Sequence, residues 1–411
     1  MDSFTRKTWK LFPMNPWAQS TSVERRFILI AGAVMVLFYV LQVINGRNDL
    51  FDFQVYYGAA SELIQGGEPY GKWYGLDSGI YKYSPISIWI FVPLALLPFQ
   101  WAAAIYYVFV VWAILAVLVF LFRRTQHCFL SAAYHPLAMI LVCVVLSDVL
   151  IRELHLGNIN MILLGLFLWA IRQMETGRPH LSGWLIALGI LIKPHFVILL
   201  PWLVMRGKWR VLGTSLTGVV AGLFIPAVVH GWQGNRALLE GWQQALGKHN
   251  VDLWDSPNTL FGMVNHAFLE PFGVQAGWWL PVAVILLAGG GYFLWMRHHG
   301  WKDVPLSRQY LEVMVLIGMI PLLTHTDTEH FLFSAPLLVL LAGVLFDRRL
   351  SIWLYATLFL IIGIPYYLNS PDFLGASGAA FMDNSGLLGL SCTIFLLASL
   401  FVVRFLPKRG C

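Results

Sequence analysis

The groups best able to do chemistry in this chain are polar residues set beside long apolar stretches. Asp52 lies in Asp49-Leu50-Phe51-Asp52-Phe53-Gln54-Val55-Tyr56-Tyr57, just after an almost charge-free run over residues 27–44. A carboxylate at a membrane boundary is expensive to keep, so it reads as a functional group, and one beside a hydroxyl can take its proton as a general base. A second group is Arg152-Glu153-Leu154-His155-Leu156-Gly157-Asn158-Ile159-Asn160, a polar elbow between apolar segments. Its cations and amides can hold an anion or a polyol, although Asn158 and Asn160 also suit a helix cap. In Lys193-Pro194-His195 the proline breaks a helix, which at membrane depth is tolerated where the break lines protein or water. Lys193 and His195 could hold an anionic group there, or Lys193 could snorkel to the interface.

Thr324-His325-Thr326-Asp327-Thr328-Glu329-His330 places two histidines and two carboxylates close together. These are metal-ligand types, but the spacing is not that of a helical zinc site, and the stretch reads as a polar turn without a metal. Residues 231–277 carry Trp232, Trp242, Trp254, His249, Asn250, Asp252, Asp255, Asn258 and His266. Indoles beside carboxylates and amides make a surface on which sugars stack and hydrogen-bond; tryptophan also anchors membrane interfaces.

The elements that must position these groups are membrane helices. Hydrophobic residues make up 58% of the chain and charged residues 12%, against about 25% charge in a soluble domain. The chain reads as an all-α polytopic membrane protein, one integral-membrane unit over residues 1–411. Apolar segments recur at 27–44, 86–97, 101–122, 137–151, 159–173, 183–192, 195–205, 211–230, 278–296, 311–324, 331–346, 352–368 and 386–403. Pro93 and Pro98 break the second, which is expected to be half-buried or interfacial, leaving about 12 spans. Lys and Arg set the orientation: with both termini inside, 20 of the 27 fall in inner loops.

That topology puts the first outer loop at 46–84 and a long outer loop at 231–277. It also puts 15 of the 21 acidic residues outside. Val55 to Ile64 has helical spacing and ends at Gly66-Gly67, predicting a short interfacial helix with Tyr56 and Tyr57 in the aromatic belt. The +6 net charge is accounted for by the inner loops and implies no nucleic-acid partner. Cys128, Cys143, Cys392 and Cys411 have no metal spacing, and no structural disulfide is expected.

The order of these motifs resembles a known family. Asp52-Phe53-Gln54-Val55-Tyr56-Tyr57-Gly58-Ala59-Ala60, followed by Gly66-Gly67-Glu68-Pro69-Tyr70, resembles the D-x-x-V-Y-Y-x-A-A … G-x-x-P-Y start of glycosyltransferase family 87. Tyr83-Ser84-Pro85 with Leu94-Ala95-Leu96-Leu97-Pro98 resembles its Y-x-P … P-L-A-L-L-P continuation. Gly157-Asn158-Ile159-Asn160 is similar to G-Q-x-N, with Asn158 in place of Gln, and Ile192-Lys193-Pro194 to I-K-P. Glu329-His330 is similar to a late W-x-H element, here without the tryptophan.

The resemblance covers most of residues 27–346. It implies a C-type glycosyltransferase of the plasma (inner) membrane, with its active site extracytoplasmic. Such an enzyme moves mannose, with inversion, from a polyprenyl-phosphate donor to a lipid-linked or glycan acceptor. The donor is a substrate, so no cofactor is implied. By the same resemblance Asp52 is the base, and His330 polarises the acceptor hydroxyl or contacts phosphate. Lys193, with Arg152 and His155, neutralises the leaving phosphate. Tyr56, Tyr57, Asn158, Asn160, His195 and Trp254 are expected to contact the substrates, with acceptor choice in 231–277. The rival from another class is a flippase or secondary transporter for lipid-linked sugars, which needs alternating access.

Overall fold

The structure is a computed structural model that describes residues 17, 20–75, 79–249, 253–298, 304–324, 327–347 and 352–402. Asp77, Asn250, Asp252, His325 and Cys411 lie outside them. The described residues are helical almost throughout; their one β element is an isolated bridge between Trp73 and Ile80. Among the described residues five helices are long and apolar enough to cross a membrane, or up to eight if each of three bent pairs counts once. Further apolar helices have 10–17 residues, shorter than the ~20 that span a bilayer unaided. The apolar segments thus fold as helices, but proline and glycine cut many of them below spanning length. Two compact units result, one of residues 1–120 and 153–249, the other of residues 121–152 and 250–411.

The first helix among the described residues of the first unit is Ser22–Ile44. Thr21 and Glu24 close a capping box at its start, so two otherwise orphaned amides are satisfied. Only 11% of its apolar window is buried, and exposed Leu29, Ile30, Val34 and Leu37 give it a lipid-facing surface. Phe51–Ile64 follows, starting four residues earlier than the expected Val55. Leu50 caps it in the left-handed conformation (φ 46°) while nearly wholly buried. Burial of the leucine side chain here overrides a backbone preference of about 1–2 kcal/mol. The early start places Asp52 in the first helical turn.

An aromatic cluster holds this helix. Phe53 stacks on Tyr106 at 4.4 Å, and Tyr56 lies 4.8 Å from Phe91. Deeper in the unit, Pro179–Ile192 packs on Trp209–Phe224 along a seam of small residues. A Cβ at Gly183 would lie 2.6 Å from that of Thr214, and one at Gly218 2.6 Å from that of Ala187, so the backbones approach as in other membrane helix pairs.

Two sequence expectations need correction here. Residues 231–249 are not loop: the chain continues as helix through Pro226–His249, with a break at Gly231 (φ 68°, ψ 172°) and a 68° bend from Trp209–Phe224. Hydropathy falls after residue 230, which hid the helix, but Ala237, Leu238, Leu239 and Ala245 remain good helix formers. The segment 137–151 divides into Pro136–Val145 and Ser147–Leu156, and the latter meets Asn160–Glu175 at 106°.

The second unit is built on Leu306–Leu323 and Thr328–Asp347, the latter with 89% of its apolar window buried. Tyr134 donates to the Val339 carbonyl at 2.7 Å, and Asp347 accepts from the Ser131 and Ala132 amides at 2.9 and 3.0 Å. Cys143 and Cys392 are free thiols. Pro371–Asn384, a helix the hydropathy pattern did not mark, carries its own break at Gly375.

Candidate active site

The sharp turn between Ser147–Leu156 and Asn160–Glu175 organises the polar residues of the first unit. Gly157 takes φ 63°, and a Cβ there would sit 3.1 Å from the Cβ atoms of both Leu50 and Phe53. Glycine therefore serves twice, by its left-handed backbone and by letting the turn lie on the start of the Phe51–Ile64 helix. The contact brings Asn158 to Asp52: its Nδ2 donates to Asp52 Oδ2 at 2.6 Å. The other amide atom, Oδ1, accepts from the Ile159 amide at 2.7 Å, and Tyr106 donates to the Asn158 carbonyl at 3.4 Å. Asn158 is thus fixed on both sides and orients one oxygen of the Asp52 carboxylate.

The same turn builds a second, deeper network. Glu153 is fully buried and accepts from the Met161 amide at 2.8 Å and from Asn160 Nδ2 at 3.0 Å. Asn160 Oδ1 in turn accepts from Lys193 Nζ at 2.6 Å. Lys193 is itself buried, so the snorkelling alternative gives way to an ammonium held inside the protein. Glu153 was not singled out from the sequence. The signal was present in a carboxylate seven residues before Asn160, but its use depends on the chain reversing at Gly157.

Tyr56 and Tyr83 share a hydrogen bond of 3.0 Å between their hydroxyls. Burial pushes both phenols well above the ordinary tyrosine range, and the nearby Asp52 charge pushes them further. Both keep their protons, one of which is not used in the bond they share. Tyr83 was quoted in the sequence only as part of a motif. Tyr57 turns elsewhere, donating to the Leu97 carbonyl at 2.8 Å. His155 stands edge-on to Phe51 at 6.1 Å between ring centres, and His195 lies 5.1 Å from the Phe196 ring.

Arg152, Trp254 and His330 belong to the second unit. The Arg152 guanidinium donates to Asp148 at 3.3 Å and to the Asn369 carbonyl at 2.9 Å. Trp254 lies half-buried in the short helical turn Leu253–Asp255. At the start of Thr328–Ser334, Asp327 and His330 form a reciprocal cap, and His330 Nδ1 accepts the Asp327 amide at 3.0 Å. Asp327, Glu329 and His330 each bring a potential ligand atom within 4.8 Å of the others. However, an Nδ1 that accepts a hydrogen bond leaves the neutral ring's proton on Nε2. That edge is a donor, suited to an oxygen atom rather than to a metal ion.

Comparisons with known proteins bear on the family of the chain. Glycosyltransferase family 87 matches residues 81–326, more than half of the chain. The match includes Glu153, Asn158, Asn160 and Lys193; it begins after Asp52 and ends before His330. The alpha-(1->3)-arabinofuranosyltransferase of Corynebacterium glutamicum is 28% identical over 196 residues, which is 46% of this chain and 44% of that protein. The chain therefore aligns with less than half the length of that relative. The chain belongs to glycosyltransferase family 87.

Proposed function

We propose that this protein transfers a sugar from a polyprenyl-phosphate donor to a hydroxyl of a lipid-linked or glycan acceptor, with inversion at the anomeric carbon. The reaction takes place on the extracytoplasmic side of the plasma membrane, within a C-type architecture of about 12 spans whose short apolar helices complete the broken ones. The acceptor oxygen attacks the anomeric carbon while its proton passes to Asp52. The bond from that carbon to the phosphate oxygen breaks, and polyprenyl phosphate leaves with the electron pair. Phosphate is a good leaving group, so one carboxylate suffices as base. No cofactor takes part.

The observation that carries this reading is the 2.6 Å bond from Asn158 to Asp52, made by a motif inside the family match. It fixes the carboxylate plane before substrate arrives, which is the preorganisation a base requires. Lys193, held by Asn160, supplies positive charge for the leaving phosphate. The proton on His330 Nε2 suits the role that the family motif gives it, donation to an acceptor or phosphate oxygen. The sequence motifs pointed to mannose. The relative is by name an arabinofuranosyltransferase, so arabinofuranose comes first among donors to test and mannose second.

The experiment is transfer from each labelled polyprenyl-phosphate sugar to a membrane glycolipid extract, by the full chain in nanodiscs. Asp52→Asn should lower turnover by about 10²–10⁴-fold while leaving the thermal midpoint within a few degrees. Full activity in the variant would remove Asp52 from the mechanism. If the wild type turns over neither donor yet moves the lipid-linked sugar across the bilayer, the transporter reading takes over.

A further inference from the structure

The first unit also carries a cavity of about 650 Å³ that plays no part in the chemistry above. Its walls are the segment that follows Phe51–Ile64 and the stretch of Pro226–His249 from His230 to Lys248. Asp52 stands at one end of the Phe51–Ile64 helix and Leu63, at the other, lines the cavity. Eleven residues at 1.5 Å each separate the two by ~16 Å along the helix. The walls are fixed to each other. Trp242 donates its indole N–H to the Lys82 carbonyl at 3.0 Å, and Tyr70 donates to the Tyr83 carbonyl at 2.7 Å. Gly241 closes on Tyr70, where a Cβ would come within 3.0 Å of the tyrosine Cβ. The cavity is preformed rather than assembled on binding.

Its chemistry selects a ligand class. Glu68 and Glu240 line it together with Lys82 and Lys248, Glu240 also holding Arg236 at 2.8 Å, so groups of both signs face the cavity rather than the cation cluster a polyanion would need. Trp73, 67% exposed, presents a broad aromatic face, and Gln244 on the opposite wall offers both a donor and an acceptor. An exposed indole with carboxylate, amide and ammonium groups around it fits a neutral polyhydroxylated ligand.

We infer that this cavity binds the glycan part of the acceptor, several sugar residues back from the hydroxyl that reacts. The inference rests on the proposed function and narrows it: the acceptor is an oligosaccharide, read at a second point remote from the base. A remote contact of this kind lowers KM for long acceptors without changing the chemical step.

The test compares octyl glycosides bearing one or four sugar residues, made in both arabinofuranose and mannose, as acceptors for the full-length protein in nanodiscs. Trp73→Ala and Gln244→Ala should each raise KM for the tetrasaccharide about tenfold, equivalent to about 1.4 kcal/mol. Both should leave kcat and the monosaccharide kinetics unchanged, and Trp73→Phe should restore the tetrasaccharide KM. An equal effect on both acceptor lengths, or none on the longer, overturns the inference. Saturation-transfer NMR with the tetrasaccharides reads binding apart from turnover. If the wild type binds one and Trp73→Ala does not, the cavity stands even if no donor is turned over and the proposed reaction fails. If the wild type binds neither, the cavity is not a glycan site.

Discussion

Two polar turns interrupt the apolar helices, and they are built on opposite principles. The Gly157–Asn160 turn joins residues far apart in sequence. It links Asn158 to Asp52, and Glu153 through Asn160 to Lys193, nearly all of it buried. The Asp327–His330 turn is closed by a reciprocal cap between its own ends, Asp327 is exposed, and Thr328 reaches far along the chain, donating to Asp383 at 3.3 Å. The first geometry exists only when the unit is packed; the Asp327–His330 cap of the second is encoded locally. A perturbation should therefore spread in the first and stay contained in the second.

Lys193→Met is the strongest way to break this contrast. It removes the ammonium that Asn160 holds, close to a carboxylate with no exposure to water. Leaving the buried polar groups of this network without a partner costs about 1–3 kcal/mol, more where a charge is involved, so the thermal midpoint should fall clearly along with transfer activity. A variant as stable as wild type would mean that the network is looser than its distances suggest. Asp327→Ala should cost about 1 kcal/mol, the ordinary value of an N-cap, measured as a small drop in midpoint. A loss as large as that of Lys193→Met would show that the second turn is no more local than the first.

The smallest effect sharpens the contrast by pH. Burial pulls the His266 pKa down, but its hydrogen bond to Glu270, the Asp255 carbonyl and the two nearby carboxylates outweigh this and raise it. The stabilisation is complete below the ordinary imidazole pKa and is lost as pH rises through the raised value. The midpoint difference between wild type and His266→Gln should thus shrink between about pH 5 and pH 8. Because this contact is also local and half-exposed, the whole change should be modest; a difference independent of pH would show that the charge on His266 contributes nothing.

The same distinction explains what could be read in the sequence. Asp52, Asn158, Asn160 and Lys193 stood out because each is polar in an apolar setting, where bland explanations are few. Asp327 and His330 stood out for their density, which proved to be that of a cap. Glu153 and Tyr83 did not, since their roles depend on a chain reversal and an interhelical contact that leave no periodic trace. The helix over residues 231–249 escaped for another reason. It is amphipathic and solvent-facing, and a hydropathy window tuned to lipid does not register it.

The bend at Gly157 has one more consequence, for where anions can settle. The first amides of Asn160–Glu175 point out of a helix N-terminus, a place that ordinarily attracts phosphate through exposed N–H groups and the positive end of the helix dipole. Glu153 already occupies it, taking the Met161 amide. The protein's own carboxyl group fills the position, so a phosphate entering this unit finds the helix end taken and the Lys193 ammonium as its counterpart. Free inorganic phosphate should accordingly compete poorly at the helix end, a discrimination set by a carboxylate that never meets the sugar.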